Sequence, residues 1–72
     1  MNREIRLLVV VALTEDLPDR KLRRGQVGTV VEILAPDVFE VEFTDNNGRA
    51  FASLALKANQ LMVLHYQPVE AA

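Results

Sequence analysis

The clearest pattern in the chain lies between Val38 and Thr44, where Phe39, Val41 and Phe43 alternate with Glu40 and Glu42. A period of two is what a strand with one buried and one solvated face requires. Residues 5–13, Ile-Arg-Leu-Leu-Val-Val-Val-Ala-Leu, form a nearly continuous apolar run with three consecutive valines and no capping residue in front. Such a run predicts a strand covered on both faces. Thr14 to Gln26 reads as a long connection holding Pro18, Asp16 and Asp19 and closed by Gly25, with Leu17 and Leu22 spaced to plug it onto the core.

Val27 to Leu34 predicts a second strand, with Thr29, Val31 and Ile33 on one face and Gly28, Val30, Glu32 and Leu34 on the other. Ala35-Pro36-Asp37 is a turn, because proline fixes its own φ and disfavours a helical predecessor. Asp45-Asn46-Asn47-Gly48 carries the residues that tolerate the positive φ of a tight hairpin. Arg49 to Leu56 returns as a fourth strand, with Phe51 on one face and Leu54 and Leu56 on the other. That broken parity signals a β-bulge. Ala58-Asn59-Gln60 suits a single 3₁₀ turn, Leu61 to Leu64 a short fifth strand, and a frayed tail is expected from residue 66. No segment offers the 3.6-residue stripe of a helix. The fold class expected is all-β: a small five-stranded SH3-like barrel over residues 1–65, with a long first loop, a 3₁₀ turn before the last strand, and a flexible tail over 66–72.

Several of these segments taken together carry a resemblance. They are Leu13-Thr14-Glu15-Asp16-Leu17-Pro18, then Arg24-Gly25-Gln26-Val27-Gly28-Thr29-Val30-Val31-Glu32, then Phe39-Glu40-Val41-Glu42-Phe43, Asp45 with Gly48-Arg49, and Gln60-Leu61. Over roughly Val11 to Leu64 the chain resembles an uncharacterised family of short bacterial proteins, a domain of unknown function with an SH3-like fold. The resemblance implies the fold and supplies no site. Members of that family often have a glycine where this chain has Arg20-Lys21, so no family role passes to the basic residues. Gly25-x-x-Gly28-x-Val30 is also similar to the short motif of ribosomal and transcription-elongation SH3-like domains, a far less specific likeness.

Size and charge narrow the functions open to such a barrel. The chain has 72 residues, half of them hydrophobic, and no cysteine. A domain this short buries only about 60% of its unfolded surface, so an apolar core or a second chain must supply its stability. Disulfides and thiolate metal sites are excluded, which fits a cytoplasmic protein. The run Leu7 to Leu13 is too short to span a bilayer, which takes about 20 apolar residues, and no cleavage site of the secretory type follows it. Ten acidic and eight basic residues leave a net charge of −2, which argues against a general nucleic-acid binder. Yet Arg20, Lys21, Arg23 and Arg24 fall within five positions.

Candidate chemistry is sparse, and no catalytic, cofactor or metal residue is assigned. With one histidine and one serine, only Ser53 and His65 remain for a Ser–His pair, and no acid is placed to orient the imidazole. Glu40 and Glu42 stand about 6.5–7 Å apart along a strand, a spacing compatible with paired-carboxylate glycosidase chemistry. The solvated face of a half-buried strand explains them as well. Counted from Asp45 as an EF-hand loop, the sixth position is Ala50 and the twelfth Leu56, so the calcium motif fails. Gly25 to Gly28 lacks the lysine and helix of a phosphate loop, and Gly28 is better explained by close backbone approach. A proline-rich peptide groove needs aromatics, and the chain has no tryptophan and a single tyrosine, Tyr66, in the tail. Phe39, Phe43 and Phe51 are expected in the core.

The basic loop is therefore the candidate partner-binding site, through Arg20, Lys21, Arg23 and Arg24, against the plainer reading of a solvated loop. The function expected is a non-enzymatic protein-interaction module or small accessory subunit, joined to another protein, to an acidic segment of one, or to a second copy of itself. The rival is a nucleic-acid-binding barrel whose basic loop contacts phosphates. An accessory role in electron-transfer or metalloenzyme complexes rests on fold analogy alone. No cofactor and no membrane partner are expected.

Overall fold

The computed structural model describes residues 4–68. The strands are β1 (Val10–Leu13), β2 (Val27–Ala35), β3 (Val38–Thr44), β4 (Ala50–Lys57) and β5 (Leu61–Val63), with 3₁₀ turns η1 (Pro18–Arg20) and η2 (Ala58–Gln60). All pairings are antiparallel in one sheet of order β4-β3-β2-β1-β5. This is the small barrel-like all-β architecture expected from the pattern. Among the described residues no helix is long and apolar enough to cross a membrane.

The alternation of β3 becomes its burial: Phe39, Val41 and Phe43 are fully buried and Glu40 and Glu42 half-buried on the opposite face. Around them Val11, Leu13, Leu22, Val30, Leu54, Leu56 and Leu61 complete one core. At about 25 cal/mol per Å² of apolar surface removed from water, each such side chain contributes roughly 1.5–3 kcal/mol. Val11, Ala12 and Leu13 are consecutive and all buried, so β1 is covered on both faces as its composition predicts.

The strand expected over residues 5–13 is, however, only four residues long. Ile5 is buried, but the chain then turns: the Val9 N–H donates to the Arg6 carbonyl at 3.1 Å. Leu8 lies at φ 68° with its side chain 75% exposed. An unbroken apolar run cannot show such a turn, because hydrophobicity carries no period there.

The face assignment of β2 also needs correction. Val30 pairs with Val41 and Glu32 with Glu40, so Val31 is an inserted residue, and a second shift lies between Ile33 and Ala35. Each bulge resets the parity and bends the strand. Glu32 therefore stands opposite Glu40 instead of joining Val30 in the core. Beyond the first bulge Val31, Ile33 and Leu34 are exposed.

Phe51 is the third correction. Phe43 pairs with Ala52 and Thr44 with Ala50, which leaves Phe51 as the extra residue of the bulge anticipated in β4. It is 50% exposed and not part of the core.

Turns fix the register. The Asp45 carboxylate accepts the Asn47 and Arg49 N–H groups at 2.8 and 3.0 Å, and Gly48 takes φ 80°. At η2 the Gln60 side-chain oxygen accepts the Lys57 N–H at 2.8 Å. The Gln60 carbonyl accepts the Thr14 N–H at 3.0 Å, and the Ala58 N–H donates to the Asp37 carbonyl at 2.9 Å. One 3₁₀ turn thus ties the exit of β1 to the β2–β3 turn. Of the expected tail, Tyr66 to Pro68 are exposed and carry no ladder, and residues 69–72 lie outside the described residues.

Gly28 is where the sheet is tightest. A β-carbon there would sit 2.7 Å from Val41 Cγ1 and 2.9 Å from the Glu42 carbonyl oxygen. Gly28→Ala is expected to lower the unfolding free energy by about 1–3 kcal/mol through overpacking, seen as a lower urea midpoint at unchanged slope. Glu32→Lys, which replaces a like-charge cross-strand pair with an attractive one, should raise stability by about 0.2–1 kcal/mol. The same titration run at low salt measures it.

Candidate functional site: the basic loop and the edge of β4

The loop from Thr14 to Gln26 is built as two nested turns. Leu17 and Leu22 form an isolated antiparallel bridge, their N–H groups donating to each other's carbonyls at 2.9 and 3.2 Å. Leu22 is buried and Leu17 half-buried against the core, as their spacing predicts. Between them η1 forms the tip, with the Lys21 N–H donating to the Pro18 carbonyl at 3.1 Å. Behind the bridge, Asp16 accepts the Arg24 N–H at 2.8 Å and the Gln26 side chain accepts the Arg23 N–H at 3.1 Å. The Gly25 N–H donates to the Leu13 carbonyl, and Gly25 takes φ 89° to do so. The loop's backbone is thus bonded along its length to itself and to β1.

That construction divides the four basic residues into two pairs on either side of buried Leu22. Arg20 and Lys21 stand at the tip, while Arg23 and Arg24 stand at the base. All four side chains are exposed. The tip pair lines a depression shared with the rest of the barrel. With Asp19 it forms one wall of a shallow depression of about 410 Å³, whose other wall is Phe51, Ala52, Ser53 and Leu54 of β4. Composition alone showed a cluster of four; the fold brings two of them to a groove and leaves the other two outside it.

Phe51 and Ser53 belong to this groove and were not picked out as binding residues from the sequence. The available signal was the broken parity of β4, which marks the place where an aromatic side chain leaves the core. The Ser53 hydroxyl donates to the Glu40 carboxylate at 2.6 Å. His65 makes a 3.2 Å contact with Glu4, both side chains being exposed. Ser53 and His65 therefore have different carboxylates for partners and do not meet as a pair. Glu40 and Glu42 share the outer face of the sheet with Glu32. Among the described residues no three histidine, cysteine, aspartate or glutamate side chains converge as a metal site.

Lys21 has φ 59°, the left-handed region. A residue with a β-carbon gives up about 1–2 kcal/mol there, which glycine does not. Here a lysine is held at the groove in spite of the strain, and strained backbone held by its surroundings is a feature of functional sites. Lys21→Gly is expected to leave the fold equal or up to about 1 kcal/mol more stable, while removing a cation from the groove. Thermal unfolding of the two proteins side by side decides it: a clear loss of stability would show that the lysine side chain supports the loop instead.

A family profile described as Domain of unknown function (DUF4926) matches residues 7–63. No curated protein and no solved structure matches the chain significantly.

Proposed function

The chain belongs to this family, DUF4926, and from the groove beside Arg20 and Lys21 we propose that it is a non-enzymatic protein-interaction module, a small accessory subunit that holds an acidic segment of another protein. The observation that carries this reading is the composition of the groove: two cations on a bonded loop face a half-exposed phenylalanine. An aromatic anchor beside arginine is the kind of surface that interface cores select. Loops held by a rigid scaffold are where recognition residues concentrate. A bacterial cytoplasm is the setting that suits a cysteine-free chain with this family resemblance.

Nucleic acid is the less favoured partner. Net charge −2 gives no basic field over the molecule. Phe51 is the single aromatic at the groove, whereas single-strand binders stack successive bases on several.

The test is a pull-down from the source lysate with the tagged full chain, divided into nuclease-treated and untreated halves. One stoichiometric protein is expected to survive nuclease. It should be lost from the double variant Arg20→Glu with Lys21→Glu and retained by Arg23→Glu with Arg24→Glu, each variant first shown to unfold at the wild-type temperature. Proteins that vanish after nuclease, with binding that falls steeply between 50 and 200 mM salt, would instead assign the loop to phosphates.

A further inference from the structure

The groove is bounded on one side by four consecutive residues of β4, Phe51 to Leu54. Successive side chains of a strand point to opposite faces of its sheet. A wall made of four in succession is therefore the rim of the strand and not one of its faces. β4 is also one of the two terminal strands of the sheet, β5 being the other. Among the described residues its ladder bonds go to β3 alone, so its outer rim presents free backbone N–H and C=O groups opposite the cationic tip. We propose that this rim takes up an extended acidic peptide as a sixth strand, its backbone bonding to β4 and its carboxylates meeting Arg20 and Lys21. This rests on the interaction-module reading and specifies how the partner is held.

Charge selects the occupant. Nothing on the exposed positions of β4 is acidic: Ala50, Phe51, Ser53, Ala55 and Lys57 are the outward residues. Asp19 is the one carboxylate among the groove's lining residues. A second copy of the chain is the other obvious strand donor. Antiparallel pairing of two β4 rims about Ser53, with like faces together, sets Lys57 of each copy opposite Arg49 of the other, with both cationic tips on the same seam. Like charges placed directly across strands are destabilising. An acidic strand meets the opposite situation. Its main chain supplies affinity by strand addition, and alternate side chains supply specificity. Phe51, displaced outward by the bulge, is placed to take an apolar residue of the incoming strand.

The experiment uses the full chain and ten-residue peptides of three kinds. One alternates glutamate and valine, the second alternates lysine and valine, and the third is the acidic peptide N-methylated at every second residue, prepared in both registers. The acidic peptide is expected to bind, to shift the amide resonances of Phe51 to Leu54, and to slow their hydrogen exchange at least tenfold. The lysine peptide should bind at least tenfold more weakly. One N-methylated register should lose binding by a similar factor, because it keeps the charge and loses the backbone bonds. Arg20→Glu with Lys21→Glu should reverse the charge preference.

Equal binding by both N-methylated peptides would overturn strand addition and leave a charge-guided interaction module intact. No binding of the acidic peptide would overturn the proposal, and the lysate experiment would still decide the broader reading. A sedimenting dimer that excludes the peptide would assign the rim to a second copy, and so overturn it too.

Discussion

The barrel depends on β2 lying close against β3 at Gly28. In the sheet Gly28 pairs with Val11 on one side and with Phe43 on the other. It is thus the point at which the β1–β5 half and the β3–β4 half are joined. With no side chain there, the β3 backbone and the Val41 side chain come nearer than any β-carbon would allow. The three residues that meet around it, Val11, Val41 and Phe43, are among the most deeply buried in the chain. Dense packing of this kind is what a domain of this size has in place of disulfides. The bulge one turn of the pleat further on then bends β2, so that its far end diverges and leaves Val31, Ile33 and Leu34 in solvent.

From that junction the position of the groove follows. Leu22 and Leu17 seat the long loop on the core. This brings the loop tip to β4 and to no other strand among the lining residues. The loop's own hydrogen bonds, from Asp16, Gln26 and the Leu17–Leu22 bridge, hold the tip in place without help from a partner. A bonded loop loses little conformational freedom on binding, and that lowers the entropic cost of recognition. The left-handed Lys21 is the local exception. Its strain is held by the turn around it, so the charge stands at the groove by virtue of the fold and not of residue preference.

What was legible in the sequence is what has a period or a turn chemistry. Phe39-Glu40-Val41-Glu42-Phe43 could only be a half-buried strand, and Asp45 to Gly48 could only be a hairpin. Ala58 to Gln60 fell between two strand patterns at the length of one 3₁₀ turn. Reading failed where hydrophobicity has no period or where the period is broken. Leu7 and Leu8 look like the valines that follow them, although a turn separates the two sets. In β2 two inserted residues each invert the faces beyond them, so simple alternation puts Glu32 with Val30 although it stands opposite Glu40. Phe51 reads as a core residue on its identity, since an aromatic is usually buried. The basic cluster was legible as charge, but its division depends on Leu22 being buried between the pairs, which is a tertiary fact.

An unpaired strand at the end of a sheet is a hazard to the protein that carries it, because any extended chain can add to it. The familiar protections are an inward charge, a proline, a bulge or a covering element. β4 has a bulge at Phe51 and a lysine at its far end, where the Gln60 side chain accepts the Lys57 N–H, and among the described residues no backbone ladder runs along its outer rim. In the strand-addition proposal the cationic tip is the remaining protection, since it makes the rim repel the identical rim of another copy while leaving it open to an acidic strand. Surface charges of this kind contribute little to stability, which is why their placement is better understood through what they exclude than through what they hold. On that view the strained lysine, the displaced phenylalanine and the free rim are one arrangement: a barrel too small to bury all its strands leaves the β4 edge open, and the loop beside it decides what is allowed to close it.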